Sequence, residues 1–149
     1  MSFIFSNEVR AGLIKVGWTP DRNVSTSSLE KAVLAADYSW FEKASQFLSS
    51  FSGLYISSTW LNVPHSINFD VERAIRLVDP LWVSQDYAPR IGKERFCPIG
   101  LAYSEHLLLF MSDDGCVYGG FDDSLLYIAP CGEEAIENIL YTKNLIEIN

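Results

Sequence analysis

Long apolar runs and several common catalytic signatures are missing from this 149-residue sequence, and its C-terminal third holds a single basic residue. No stretch approaches the ~20 consecutive apolar residues of a membrane helix, so no helical span is expected. The opening MSFIFSNEVRAGLIKVGW has no basic residue ahead of its apolar ones and carries Glu8 close behind them, which reads poorly as a secretory signal. Cysteine is scarce and odd in number. Cys97, Cys116 and Cys131 stand far apart, a pattern that fits neither a disulfide framework nor a CxxC metal site and points to a reducing cytoplasm. The P-loop, GxGxxG, HExxH and GxSxG patterns are all absent. Cys97 and Cys131 each adjoin a proline, with no charge pattern to lower a thiol pKa. His65 and His106 sit in different segments, the first expected in a turn after Pro64 and the second at the start of a strand.

What is present is an ordinary globular composition, 48% hydrophobic and 20% charged, with a generous 13% of aromatics and four tryptophans. The length suits one domain, which at this size buries roughly 68–70% of its unfolded surface and needs no covalent staples. The net charge of −8 is unevenly placed. Residues 1–104 hold ten basic and ten acidic side chains, whereas residues 105–149 hold Lys143 against nine acids. Such a surface repels nucleic acid, whose binding needs Lys and Arg to neutralise phosphates, and attracts a basic partner.

The pattern predicts α+β in a single domain spanning residues 1–149, with an antiparallel meander in its C-terminal half. Residues 5–15 predict a helix with Val9, Leu13 and Val16 on one face, closed by Gly17. Ser27-Ser28-Leu29-Glu30 reads as a capping box opening a second helix. In FEKASQFLSSF, apolar residues recur at spacings of three and four until Gly53 ends the helix. Strands are expected at 54–56 and 67–69, and Asp70 is a plausible N-cap for VERAIRLV. Asp79-Pro80 starts another helical piece, limited by Pro89 and Gly92. CPIGLAY, HLLLFM, CVYGGF and LLYIA then read as meander strands, and EEAIENILY as a last helix with acids at its positive dipole end.

The stretch DDGCVYGGFDDSL is the most site-like feature. Asp113, Asp114, Asp122 and Asp123 do not match a calcium loop, because Gly115 follows the first pair directly and the two pairs are too far apart. A pair of catalytic carboxylates would need them to converge on one cleft. Asp113-Asp114-Gly115 reads instead as a hairpin turn. Gly119 and Gly120 suggest a bulge or the close approach of another backbone, and Asp122-Asp123 a strand exit that refuses edge pairing.

Several segments together resemble a known family. They are Gly17-Trp18 with Pro20-Asp21-Arg22, the FSGL ending at Leu54 that contains Gly53, and Asn68-Phe69-Asp70. Cys97-Pro98-Ile99-Gly100, the strand LLLFM and Val117-Tyr118-Gly119-Gly120-Phe121-Asp122-Asp123 complete the set. In order and spacing, over roughly residues 9–141, the chain resembles the SUKH superfamily, in particular its third group of bacterial immunity proteins. The resemblance implies an α+β fold with a central antiparallel sheet and helices packed around it. It also implies a cytoplasmic protein without catalytic residues, cofactor or metal, which neutralises a cognate polymorphic toxin such as a nuclease or other intracellular effector. SSTWLNVPHS and Pro89 depart from the expected pattern. Joined to the charge distribution, it predicts a toxin-facing surface of Glu105, Asp113, Asp114, Asp122 and Asp123 with Trp60, Tyr103 and Tyr118 as aromatic anchors, meeting a basic toxin domain but no nucleic acid or membrane. A SUKH-like scaffold unconnected to a toxin and a small acid-dependent hydrolase are the alternatives. An odd cysteine count gives no reason to expect a covalent dimer.

Overall fold

In the computed structural model, which describes residues 3–58 and 65–149, the first half of the chain is mainly helical. Helix α1 (Asn7–Lys15) begins after Ser6, whose hydroxyl accepts from the Val9 N–H, and gives way to Gly17 at φ +104°. Val9 and Leu13 face inward as expected, but Val16 is the C-cap and is exposed. Helix α2 (Ser27–Ala35) starts one residue too early for the expected capping box. Its N-cap is Thr26, which makes no side-chain bond, so Glu30 falls beyond the reciprocal position. Helix α3 (Glu42–Phe51) buries Ala44, Phe47, Leu48 and Phe51, and Gly53 follows at φ +82°. Trp18 stacks on Phe51 with centroids 5.7 Å apart and donates its indole N–H to Ser50 Oγ at 3.0 Å. The Gly17-Trp18 and Gly53 motifs thus anchor α1 to α3.

Strands β1 (Tyr55–Ser58) and β2 (His65–Asn68) pair antiparallel, and His65 opens β2 opposite Ser58 rather than lying in a turn. Helix α4 (Val71–Leu77) is capped as expected by the Asp70 carboxylate, which accepts from the Arg73 N–H at 3.0 Å. Asp79 caps the following segment by accepting from the Leu81 N–H at 2.9 Å. That segment runs through α5 (Pro80–Trp82), a π turn (Val83–Tyr87) and α6 (Ala88–Ile91) before Gly92 ends it at φ +85°. Pro89 therefore does not stop the helix. In α geometry its ring would press on the carbonyl four residues back, and the wider i→i+5 turn just before it relieves that clash.

The remaining strands are β3 (Phe96–Ala102), β4 (Leu107–Ser112), β5 (Val117–Phe121) and β6 (Ser124–Ala129). Helix α7 (Gly132–Tyr141) follows, and a short β7 (Ile146–Glu147), unforeseen in the sequence, adds an edge. Among the described residues seven strands pair antiparallel in the order β1-β2-β3-β4-β5-β6-β7, so the meander extends through the whole sheet. A register shift between Pro98 and Gly100 accommodates a proline in a central strand, and a Cβ on Gly100 would lie 2.6 Å from the Asn68 carbonyl oxygen. Strands β3 and β4 are buried on both faces, because helices cover both sides of the sheet centre.

Consecutive strand residues point to opposite faces, and Gly119 and Gly120 show what lies on each. A Cβ on Gly119 would meet Leu107 Cδ2 at 2.6 Å, and one on Gly120 would meet the Tyr87 ring at 2.5 Å. The close approach expected at these glycines is thus made by side chains rather than backbone, and the β5–β6 register shift falls at Val117 and Tyr118 instead. Tyr87 lies nearly parallel to Phe110, centroids 5.6 Å apart, and seats the π-turned segment on its face of the sheet. Among the described residues no helix is long and apolar enough to cross a membrane.

Candidate partner-binding surface

An antiparallel meander sends alternate turns to opposite ends of the sheet, and this separates the acids that are close in sequence. Asp113 and Asp114 lie in the β4–β5 turn at one end. Glu105, Asp122 and Asp123 lie in the β3–β4 and β5–β6 turns at the other. Asp113 and Asp114 therefore do not converge with Asp122 and Asp123 on one cleft, as the hydrolase reading needs.

The first end neutralises itself. Lys93 Nζ lies 2.5 Å from Asp114 Oδ2, the Cys116 N–H donates to Asp114 Oδ1 at 3.2 Å, and Ser112 Oγ donates to the same oxygen. Burial works against the charged Asp114, but these donors outweigh it and hold the carboxyl well below the usual carboxylate range. Burial likewise opposes the Lys93 charge, and pairing with Asp114 raises its pKa above that of an ordinary lysine. Arg95 Nη1 approaches Asp113 at 3.8 Å. Gly115, at φ +95°, closes the turn as the sequence implied.

The second end is organised differently. Asp122 and Asp123 form a two-residue turn between the paired Phe121 and Ser124, with Asp122 at φ +50°. This left-handed backbone is costly for a side chain larger than glycine, and three groups from the helical segment hold it. The Asp122 carbonyl accepts from Tyr87 OH at 2.6 Å and from Trp82 Nε1 at 2.7 Å, while Arg90 Nη1 donates to the Asp123 carbonyl at 2.9 Å. In a regular α-helix, residues five apart stand roughly 140° apart around the axis. The π turn brings Trp82 and Tyr87 round to one side, where their rings meet edge to face at 6.3 Å. Among the described residues neither aspartate carboxylate has a hydrogen-bond or ion-pair partner. The expected edge-guarding role falls away, because β5 lies between β4 and β6 and the edges are β1 and β7.

Beside this turn runs a groove of about 760 Å³, walled by the α4–α5 region and the ends of β4 and β5. Leu77, Leu81, Trp82 and Phe121 line it while remaining 53%, 59%, 44% and 51% exposed. Its carboxylates are Asp79, Glu105, Asp122 and Asp123, and no lysine or arginine is among its lining residues. Glu105 is bound to Arg73 by two hydrogen bonds, the second at 2.8 Å, and Arg73 holds its carboxyl below the usual range. The β3–β4 turn that presents it has three consecutive positive φ values, at Tyr103, Ser104 and Glu105.

The aromatic anchors expected from sequence separate. Tyr103 is half-buried at this end, with its hydroxyl donating to the Ile139 carbonyl at 3.2 Å. Tyr118 does not reach a rim: it is 5% exposed and packs with Phe110 in the core. Trp60 lies outside the described residues. Glu137, one of the nine C-terminal acids, is also inside, accepting from the Ser6 N–H at 2.5 Å. Sequence reasoning missed Leu81 and Trp82, although adjacent large apolar residues in a first helical turn cannot both face the same core. It also missed Tyr87 and Arg90, whose roles depend on the π turn.

Other chemistry is sparse. Burial pushes the Cys97 thiol up to about 12 and also raises Cys116 and Cys131. Among the described residues no cluster of histidine, cysteine and acidic groups is placed to hold a metal ion. A second hollow of about 640 Å³ lies between α1, α3 and the start of α7, where Trp18 and Phe47 meet Arg10, Lys43 and Glu133.

A family model described as SUKH-3 immunity protein matches residues 5–142, slightly more than the stretch that carries the resemblance in the sequence. No curated protein and no solved structure matches the chain.

Proposed function

The chain belongs to the SUKH-3 immunity protein family, and from that premise we propose that it neutralises a cognate toxin by direct contact, through the end of the sheet bearing Asp122 and Asp123. The observation that carries this reading is the contrast between the two ends. At one, Lys93 and Arg95 already compensate the acids; at the other, two unpaired carboxylates are held on an over-determined turn beside exposed apolar side chains. Groups fixed before binding lose little freedom on association, so the clamp favours affinity as well as orientation. Glu105 lines the same groove, and a basic toxin domain is its electrostatic complement. Many toxins that cut nucleic acid are basic because they must hold phosphate, and carboxylates presented there would compete for those cations. The protein acts in the cytoplasm, where such an effector would work, and supplies no catalytic group of its own.

Co-expression with the product of the adjacent gene provides the test. The expected result is cell survival and a complex that co-elutes in size-exclusion chromatography and dissociates faster at high salt. Failure to bind or rescue against any linked toxin overturns the proposal.

A further inference from the structure

We infer that the groove beside the Asp122–Asp123 turn receives one apolar side chain of the partner, flanked in the partner's own chain by lysine or arginine. The inference rests on the reading that this end faces the toxin, and it specifies what the toxin must present there. The groove divides its chemistry: Leu81, Trp82 and Phe121 offer apolar walls, while Asp79, Asp122 and Asp123 stand at the same site with His106 but no lysine or arginine among the lining residues. A wholly apolar occupant would strip water from carboxylates without replacing it, which is costly for a charged group. A wholly basic occupant would leave the exposed leucine and aromatic surface in water. An apolar residue between cations satisfies both. Size agrees, since about 760 Å³ lies within the usual range of concave binding sites and holds a large side chain with adjoining backbone. Trp82 links the two chemistries, because its indole N–H fixes the Asp122 carbonyl while its ring remains 44% exposed to the groove.

The probe is a set of blocked pentapeptides titrated into the isotope-labelled full chain and followed by amide and indole N–H shifts. Lys-Arg-Leu-Arg-Lys is expected to shift Phe121, Asp122, Asp123 and the Trp82 indole, and to bind roughly tenfold tighter than Lys-Arg-Ser-Arg-Lys, the difference set by burying the leucine. Glu-Asp-Leu-Asp-Glu is expected to shift none of them. Leu81→Gln, at an exposed position, should remove the preference for leucine over serine while leaving the remaining spectrum folded. Equal binding of the two basic peptides, shifts centred elsewhere, or none at millimolar peptide would overturn the inference. A chain that rescues cells but ignores the peptides refutes the groove and leaves the immunity reading standing; one that binds the peptides but rescues nothing does the reverse.

Discussion

Asp122 combines two properties that selection for stability alone would not favour, a left-handed backbone and an unpaired carboxylate. Replacing it with glycine relieves the first and removes the second. Asp122→Gly is expected to leave stability unchanged or raise it by up to about 1 kcal/mol while weakening toxin binding, as measured by denaturant melts and titration calorimetry. Asp114 is expected to behave in the opposite way. Its folded pKa lies below the unfolded value, so its contribution is full above about pH 4 and is lost as pH falls through the folded value. The Lys93 pKa is raised, so its contribution is full below about pH 10 and is lost as pH rises through its folded value. Asp114→Asn should cost about 0.5–1 kcal/mol at pH 7, a small figure because half the side chain faces water, and should flatten the acid limb of the stability profile. Toxin affinity should hardly change.

At the scale of elements, hydrophobic period and caps made most of the fold legible. The apolar spacing in α3, the turn-bounded apolar segments from β3 to β6 and the Asp70 and Asp79 caps all appear where residue chemistry placed them. The failures were local. The α2 cap is out of register by one residue, β7 is too short to show a period, and the π turn has no sequence period of its own. The π turn is also what brings Trp82 and Tyr87 to one carbonyl, so the clamp could not be read before the structure. Pro89→Ala restores an N–H and removes the clash that favours the wider turn. We expect this variant to keep its fold, to show faster hydrogen exchange at Asp122–Ser124 and to bind the toxin more weakly. The glycine pair gives a second check on the same contact. Gly120→Ala drives a methyl into the fully packed Tyr87 ring and should cost about 1–3 kcal/mol, whereas at Gly119 the obstacle is the movable end of Leu107 and the loss should be smaller.

For the whole molecule, the uneven charge of the sequence pointed to a real asymmetry but misplaced part of it. Folding carries Arg73, Lys93 and Arg95 from the neutral part of the chain onto Glu105, Asp114 and Asp113, and buries Glu137. A linear run of acids thus becomes one end whose turn acids are all paired and another where Asp122 and Asp123 stay uncompensated beside the Arg73–Glu105 pair, a distinction that only the meander's topology makes. The uncompensated end should impose a salt-dependent association rate on toxin binding. The central claim meets its most direct test in two matched double neutralisations, Asp122→Asn with Asp123→Asn and Asp113→Asn with Asp114→Asn, assayed for affinity to the cognate toxin. The first pair should weaken binding roughly 10- to 100-fold and the second by less than about threefold. Equal losses from both pairs, or a loss confined to Asp113 and Asp114, would contradict the placement of the toxin at the Asp122–Asp123 end.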